Sequence, residues 1–204
     1  MNKQQFLSAV GLEQPLLSVH GDIFETPADH IAFAVNFAGK SSKPVNSGGF
    51  AGEVSRRYWP EISNHEFQAG VPVSRYIASA GKFFHALPVH SNEEGGWKDA
   101  PELITKCFNL LPVPSTEVIA TVLMGAGSSG TKYNASPRNI EAMALSYKEI
   151  VLYIYEEAVY HLLLQTGLLA SPRREVVSLK PKMAGVKVLG DFPLQGRKQL
   201  ELVS

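Results

Sequence analysis

The chain has 204 residues, 45% hydrophobic and 19% charged, with 19 Lys or Arg balanced by 19 Asp or Glu. That length suits one domain with an elaboration, able to bury about two-thirds of its unfolded surface without a disulfide or metal staple. A formal net charge of zero removes the broad electrostatic case for nucleic acid, which rests on clustered neutralisation of phosphates, and the single cysteine, Cys107, excludes an internal disulfide and a CxxC zinc site.

The opening MNKQQFLSAVGLEQPLL has neither the long apolar run nor the small-residue cleavage site of a signal peptide. No stretch reaches the roughly 18 uninterrupted apolar residues of a membrane span, so a soluble, cytoplasmic protein is expected. Residues 16–24 read as a weak edge strand. The run His30-Ile31-Ala32-Phe33-Ala34-Val35-Asn36-Phe37 reads as a buried strand, as do residues 83–89 and 118–124. Apolar residues on both faces suit a sheet covered on each side, as in α/β proteins.

Between these strands lie helical patterns. A short helix is expected over 52–59, stopping at Pro60. Asp99-Ala100-Pro101 has the cap and early proline of a helix start, followed by Leu103, Ile104, Cys107, Leu110 and Leu111 at helical spacing. Ser136-Pro137 repeats that signature, and Ile140, Met143, Ala144, Tyr147, Ile150, Val151 and Ile154 form one stripe of a helix predicted to run to about Leu164. Residues 171–204 hold seven Lys or Arg and three Asp or Glu. The division expected is therefore an α/β domain over 1–170 and a basic C-terminal extension over 171–204, packing on the domain or on a partner subunit.

Three glycine-bearing segments fall at strand ends or helix starts: Gly21-Asp22-Ile23, Gly48-Gly49-Phe50-Ala51-Gly52 and Gly125-Ala126-Gly127-Ser128-Ser129-Gly130. In α/β sheets ligands bind outside the strand carboxyl ends. Glycine there lets backbone N–H groups approach a phosphate, and a helix N-terminus adds a favourable dipole. Two such loops on different strands could grip a diphosphate, although each alone also fits an ordinary tight turn. The last loop is not a Walker loop, because its lysine follows the threonine, and its GxGxxG spacing lies too late in the chain to lead a dinucleotide-binding unit.

Asp22 could accept hydrogen bonds from the exocyclic amine of a purine or simply cap a turn, and Asn36 could bond a ribose hydroxyl or fix the next loop. Glu53, the carboxylate nearest the double-glycine loop, reads either as a dipole-favoured acid in a first helical turn or as a general acid or base beside a bound ribose. His85 and His90, five residues apart across a proline, do not have a metal-ligand spacing. A small-molecule hydrolase using His85, Ser128 or Cys107 is a further class, though no GxSxG elbow exists and Cys107 falls on an amphipathic stripe that favours burial.

Taken in order, these segments resemble the macrodomain family over residues 16 to about 165. The corresponding pieces are Gly21-Asp22-Ile23, Val35-Asn36-Phe37-Ala38-Gly39, Gly48-Gly49-Phe50-Ala51-Gly52, Phe84-His85-Ala86-Leu87-Pro88 and residues 124–130. There is also some likeness to the related poly(ADP-ribose) glycohydrolases, without their paired Gln-Glu-Glu. The resemblance implies a three-layer α/β/α sandwich with a mixed central sheet, binding ADP-ribose or a related nucleotide. Asp22 would meet the adenine, the Ile23 backbone the adjoining part of the nucleotide, and Asn36 the distal-ribose side. The loops containing Gly48, Gly49 and Phe50, and Gly125, Ala126, Gly127, Ser128, Ser129 and Gly130, would hold the diphosphate and distal ribose.

Hydrolysis of ADP-ribosyl linkages would fall to Glu53 and Asn36, with ADP-ribose or an ADP-ribosylated molecule as substrate and no metal or cofactor. Active members often carry an asparagine where this chain has Gly39 and an aspartate where it has Ala51. The alternative is an interaction or scaffold protein that keeps the α/β fold without a working pocket, using the apolar helix around 150–164 and the basic tail as its surfaces. Homo-oligomerisation is compatible with either reading.

Overall fold

Along the strand β2, His30–Asn36, the side chains of Ile31, Phe33 and Val35 enter one apolar cluster and Ala32 enters another. A strand buried on both faces needs two covering layers. The computed structural model, which describes residues 18–37, 49–91, 96–125, 136–157, 159 and 161, supplies both. Its strands are β1 (Ser18–His20), β2, β3 (Val73–Ile77), β4 (Lys82–His90), β5 (Val118–Val122) and β6 (Glu149–Ile154). They form one sheet in the order β1-β6-β5-β2-β4-β3. Every neighbouring pair is parallel except β3 with β4, so the sheet is mixed.

One face is covered by α1 (Gly49–Arg57) and the 3-10 turns Ile23–Glu25 and Pro60–Asn64. Ile23, Val54, Trp59 and Ile62 pack there with Phe33, Phe84, Val118 and Tyr153. On the other face lie α2 (Ala100–Leu110) and α3 (Ser136–Ala144), with Ile104, Cys107, Phe108, Ile140 and Met143 against Leu87, Val89, Ile119 and Leu152. This is the three-layer α/β/α arrangement with a mixed central sheet expected from the resemblance. Among the described residues, no helix is long and apolar enough to cross a membrane.

The expected strands over 30–37, 83–89 and 118–124 are present with ends moved by one or two residues. The weak segment 16–24 resolves into β1, at the sheet edge, followed by the 3-10 turn. The helix expected over 52–59 begins earlier, inside the glycine loop at Gly49. Asp99 stands at the cap of α2 with Pro101 in its first turn, but its side chain makes no capping bond.

The long helix predicted from Ser136 is not formed. It ends at Ala144, and Leu145, Ser146, Tyr147 and Lys148 turn the chain into β6, which lies between β1 and β5. Tyr147, assigned to the buried stripe, is 81% exposed. Ile150, Val151, Leu152, Tyr153 and Ile154 are instead buried on alternate faces, in a run rich in β-branched and aromatic residues that suits a central strand. The continuous apolar helix over 150–164 that a scaffold reading would use is therefore absent from 150–154. Edge strand β3 carries exposed Ser74, Arg75 and Tyr76 and gave no apolar run to detect. The basic extension 171–204 lies outside the described residues.

Candidate functional site at the strand carboxyl ends

Leaving β2 the chain crosses one face through α1, and leaving β5 it crosses the other through α3. Adjacent parallel strands whose connections depart in opposite directions open a crevice beyond their carboxyl ends. Asn36 closes β2 there, and the turn at Met124 and Gly125 follows β5. Asp22 follows β1 at the same edge of the sheet.

Asp22 caps the turn Ile23–Glu25: its Oδ1 accepts from the Phe24 N–H at 2.9 Å and its carbonyl from Glu25 N–H at 3.1 Å. The Ile23 side chain is buried, and its carbonyl accepts from the Thr26 N–H at 3.1 Å. Tyr153 lies under this loop, its ring carbons 3.8 and 3.9 Å from where a side chain on Gly21 would begin. Burial, reinforced by the Asp22 carboxylate, pushes the Tyr153 phenol above its ordinary pKa.

A packed aromatic group joins this loop to the start of α1. Phe24 and Phe50 have ring centroids 4.9 Å apart, Tyr58 adds a contact to Phe24 at 5.5 Å, and Arg57 lies over Phe24 at 5.0 Å. Phe50 also meets Phe33 of β2 edge-on at 5.8 Å. Asp22, Ile23, Gly49 and Phe50, distant in sequence, are thereby brought into one neighbourhood. Gly49 (φ 71) and Gly125 (φ 84) both have left-handed backbones, which glycine adopts without a Cβ penalty. Gly48, Ala126, Gly127, Ser128, Ser129 and Gly130 lie outside the described residues.

Asn36 is buried and falls where the β2–β4 register shifts, Val35 pairing with Pro88 but Asn36 with His90. Pro88 has no N–H to give to a ladder, and the irregularity follows it immediately. Phe37 N–H still bonds the His90 carbonyl at 3.0 Å, which ties the two strand ends together. Glu53 sits one turn into α1, where Arg56 (2.9 Å) and Arg57 (3.0 Å) hold its carboxylate.

Two supporting features escaped the sequence. Asn139 on α3 is buried and donates Nδ2–H to the Met124 carbonyl at 3.0 Å, anchoring the turn after β5. His90 stacks on Trp97 at 4.0 Å beside Asn36, and burial pushes the His90 pKa down to about 4. Asn139 has no motif to mark it, and His90 stood out in the sequence only for its spacing from His85. Cys107 is buried in the α2 layer and its thiol is pushed up to about 12 by desolvation, which removes it as a nucleophile. Among the described residues no group of three His, Cys, Asp or Glu is arranged to hold a metal ion.

No protein-family model matches the chain, and no curated protein matches it. Solved structures do. A macrodomain of Oceanobacillus iheyensis solved with ADP aligns with a TM-score of 0.52 at 14% identity, over 72% of this chain and 89% of that one. A mutant of the same macrodomain solved with ADPR aligns at 0.51 and 16% identity, over 73% and 91%. An alphavirus P23pro-zbd structure aligns at 0.55 and 13% identity, over 83% of this chain, which spans only 26% of that protein. The architecture is therefore that of the macrodomains, carried by a sequence far diverged from these neighbours.

Proposed function

We propose that the crevice at the strand carboxyl ends binds ADP-ribose or a closely related nucleotide. The observation that carries this reading is the packing of the Asp22 loop on the α1 start at Gly49–Phe50, with the turn at Gly125 following β5 at the same carboxyl edge of a macrodomain-like fold. In this reading Asp22 accepts from the adenine amine, while the backbone N–H groups around Gly49 and Gly125 hold the diphosphate. Asn36 supports the distal ribose. Macrodomains of similar fold solved with ADP and with ADPR support the choice of nucleotide.

Hydrolysis of an ADP-ribosyl linkage is the finer part of the proposal. Binding of the diphosphate would fix the distal ribose, and Glu53 would activate a water once its carboxylate exchanges Arg56 or Arg57 for that water. The substrate is then ADP-ribose carried on another molecule, and the setting cytoplasmic. Isothermal titration with ADP-ribose, ADP, AMP and NAD tests the binding. Selective micromolar affinity for ADP-ribose is expected, and absence of both heat and thermal shift with all four would refute it. Release of ADP-ribose from a modified protein, lost in Glu53→Gln, tests the chemistry.

A further inference from the structure

At the opposite, amino-terminal end of the parallel strands lies a polar chain that the nucleotide reading does not use. Ser74 Oγ of β3 is 2.7 Å from His85 Nδ1 of β4, His85 Nε2 is 3.0 Å from His30 Nδ1 of β2, and His30 Nε2 is 2.8 Å from Glu117 Oε2 just before β5. The register makes this meeting obligatory. Ser74 pairs directly with His85, while His30 pairs with Phe83 and so stands diagonal to His85 on the same face. With Glu117 ionised and both imidazoles neutral, one proton arrangement satisfies all three contacts. The carboxylate only accepts, so His30 donates Nε2–H to it. His30 Nδ1 then accepts Nε2–H from His85, and His85 Nδ1 accepts the Ser74 hydroxyl.

Both histidines are buried, yet Ser74 at the end of the chain is exposed. Desolvation first, and then the neighbouring Lys148 charge, pushes His85 down to about 3, so its imidazole is neutral at ordinary pH and Nδ1 accepts the Ser74 hydroxyl. Lys148 itself is held by the Leu111 and Val113 carbonyls. Beside the hydroxyl lies an apolar shelf: Tyr76, 53% exposed, packs on Phe83, 41% exposed, at 5.0 Å, and Phe83 stacks on His30 at 5.2 Å. An exposed hydroxyl, an acceptor histidine oriented by a second histidine and a carboxylate, and an adjoining aromatic surface are the parts of an acyl-transfer site.

We propose that Ser74 is a nucleophile that takes acyl groups from small apolar or aryl carboxylic esters, with His85 as its base and His30 and Glu117 as positioning residues. Ser74 Oγ forms a bond to the ester carbonyl carbon as its proton passes to His85 Nδ1. The carbon–oxygen bond to the leaving group then breaks, and that oxygen takes the proton from His85. Water repeats the sequence on acyl-Ser74, giving the free carboxylic acid and restoring the hydroxyl. The hydrogen bonds through His30 to Glu117 stabilise the transient charge on His85.

The full chain is treated with an aryl fluorophosphonate and with p-nitrophenyl acetate, followed by intact mass and peptide mapping. A single adduct on Ser74 is expected, absent in Ser74→Ala. Glu117→Gln and His30→Gln, both checked for native circular dichroism, should slow labelling by about tenfold or more. No adduct on Ser74 in the wild type overturns the proposal. So does an undiminished rate in Glu117→Gln, whose isosteric change at a part-exposed carboxylate leaves the fold intact.

Discussion

The most discriminating stability test concerns Leu152 and Tyr147, whose roles are exchanged between a helix running through residue 154 and the strand observed. On the predicted helical stripe Tyr147 faces the core. In the structure it is 81% exposed in the turn before β6, and its N–H donates to the Asn109 Oδ1 at 2.9 Å, a bond that a side-chain change does not touch. Leu152 is fully buried in β6, paired with Thr121 and Ser18 on its two sides and packed under α2 and α3. Leu152→Ala removes a fully enclosed side chain and leaves a cavity in a rigid sheet, which costs about 2–5 kcal/mol. At roughly 2–4 °C per kcal/mol for a domain of this size, a mid-range loss of about 3 kcal/mol lowers Tm by about 6–12 °C. Tyr147→Ala should fall within about 0.5 kcal/mol of the parent. Urea unfolding followed by circular dichroism measures both, and a shifted midpoint with unchanged slope attributes the effect to stability. A Tyr147→Ala cost above about 2 kcal/mol, or a Leu152→Ala cost below about 1, would refute the strand assignment.

Three further outcomes are expected. Gly125→Ala forces a Cβ onto a backbone with φ 84, so the variant should lose about 1–2 kcal/mol of stability and weaken nucleotide binding, both read by thermal shift with and without ADP-ribose. Asp22→Ala removes the cap on Phe24 N–H and should cost about 0.5–2 kcal/mol, whereas Asp22→Asn keeps an acceptor for that cap. In titration calorimetry both variants should bind ADP-ribose more weakly, and full affinity in Asp22→Asn would remove the adenine role. His85 and His90, held down to about 3 and about 4 by burial, stay neutral in the fold while the unfolded chain takes up protons below about pH 6.5. Stability should therefore fall as pH drops from about 6.5 toward 4, by roughly 1.4 kcal/mol per pH unit for each histidine once the unfolded chain is protonated. Denaturant melts across that range check the slope, and a flat profile would contradict the burial.

The sequence was most legible where both faces of a strand are apolar. The run 30–37 reads as a buried strand, and the two layers that cover it are present. Residues 136–154 misled for a physical reason. Apolar residues at both helical and alternating spacing fit either period, and only the tertiary choice of burying Leu152 while exposing Tyr147 decides between them. The positions of Asp22, Asn36 and Gly49 were readable because a strand end or helix start marks each one. Asn139 and the Ser74–His85–His30–Glu117 chain were not, since their partners lie 15 and up to 87 residues apart and meet only through sheet register and helix packing.

Amide hydrogen exchange with and without ADP-ribose tests the central claim most directly, because it asks both whether the nucleotide binds and where. Protection should rise at the loop after β1 (Asp22 to Phe24), at Phe37 and Phe50, and around Met124 and Gly125. The edge strand β3 at the far side of the sheet should exchange unchanged. Equal exchange everywhere at saturating ligand, or protection confined to β3 and the amino-terminal strand ends, would contradict a nucleotide site at the carboxyl edge.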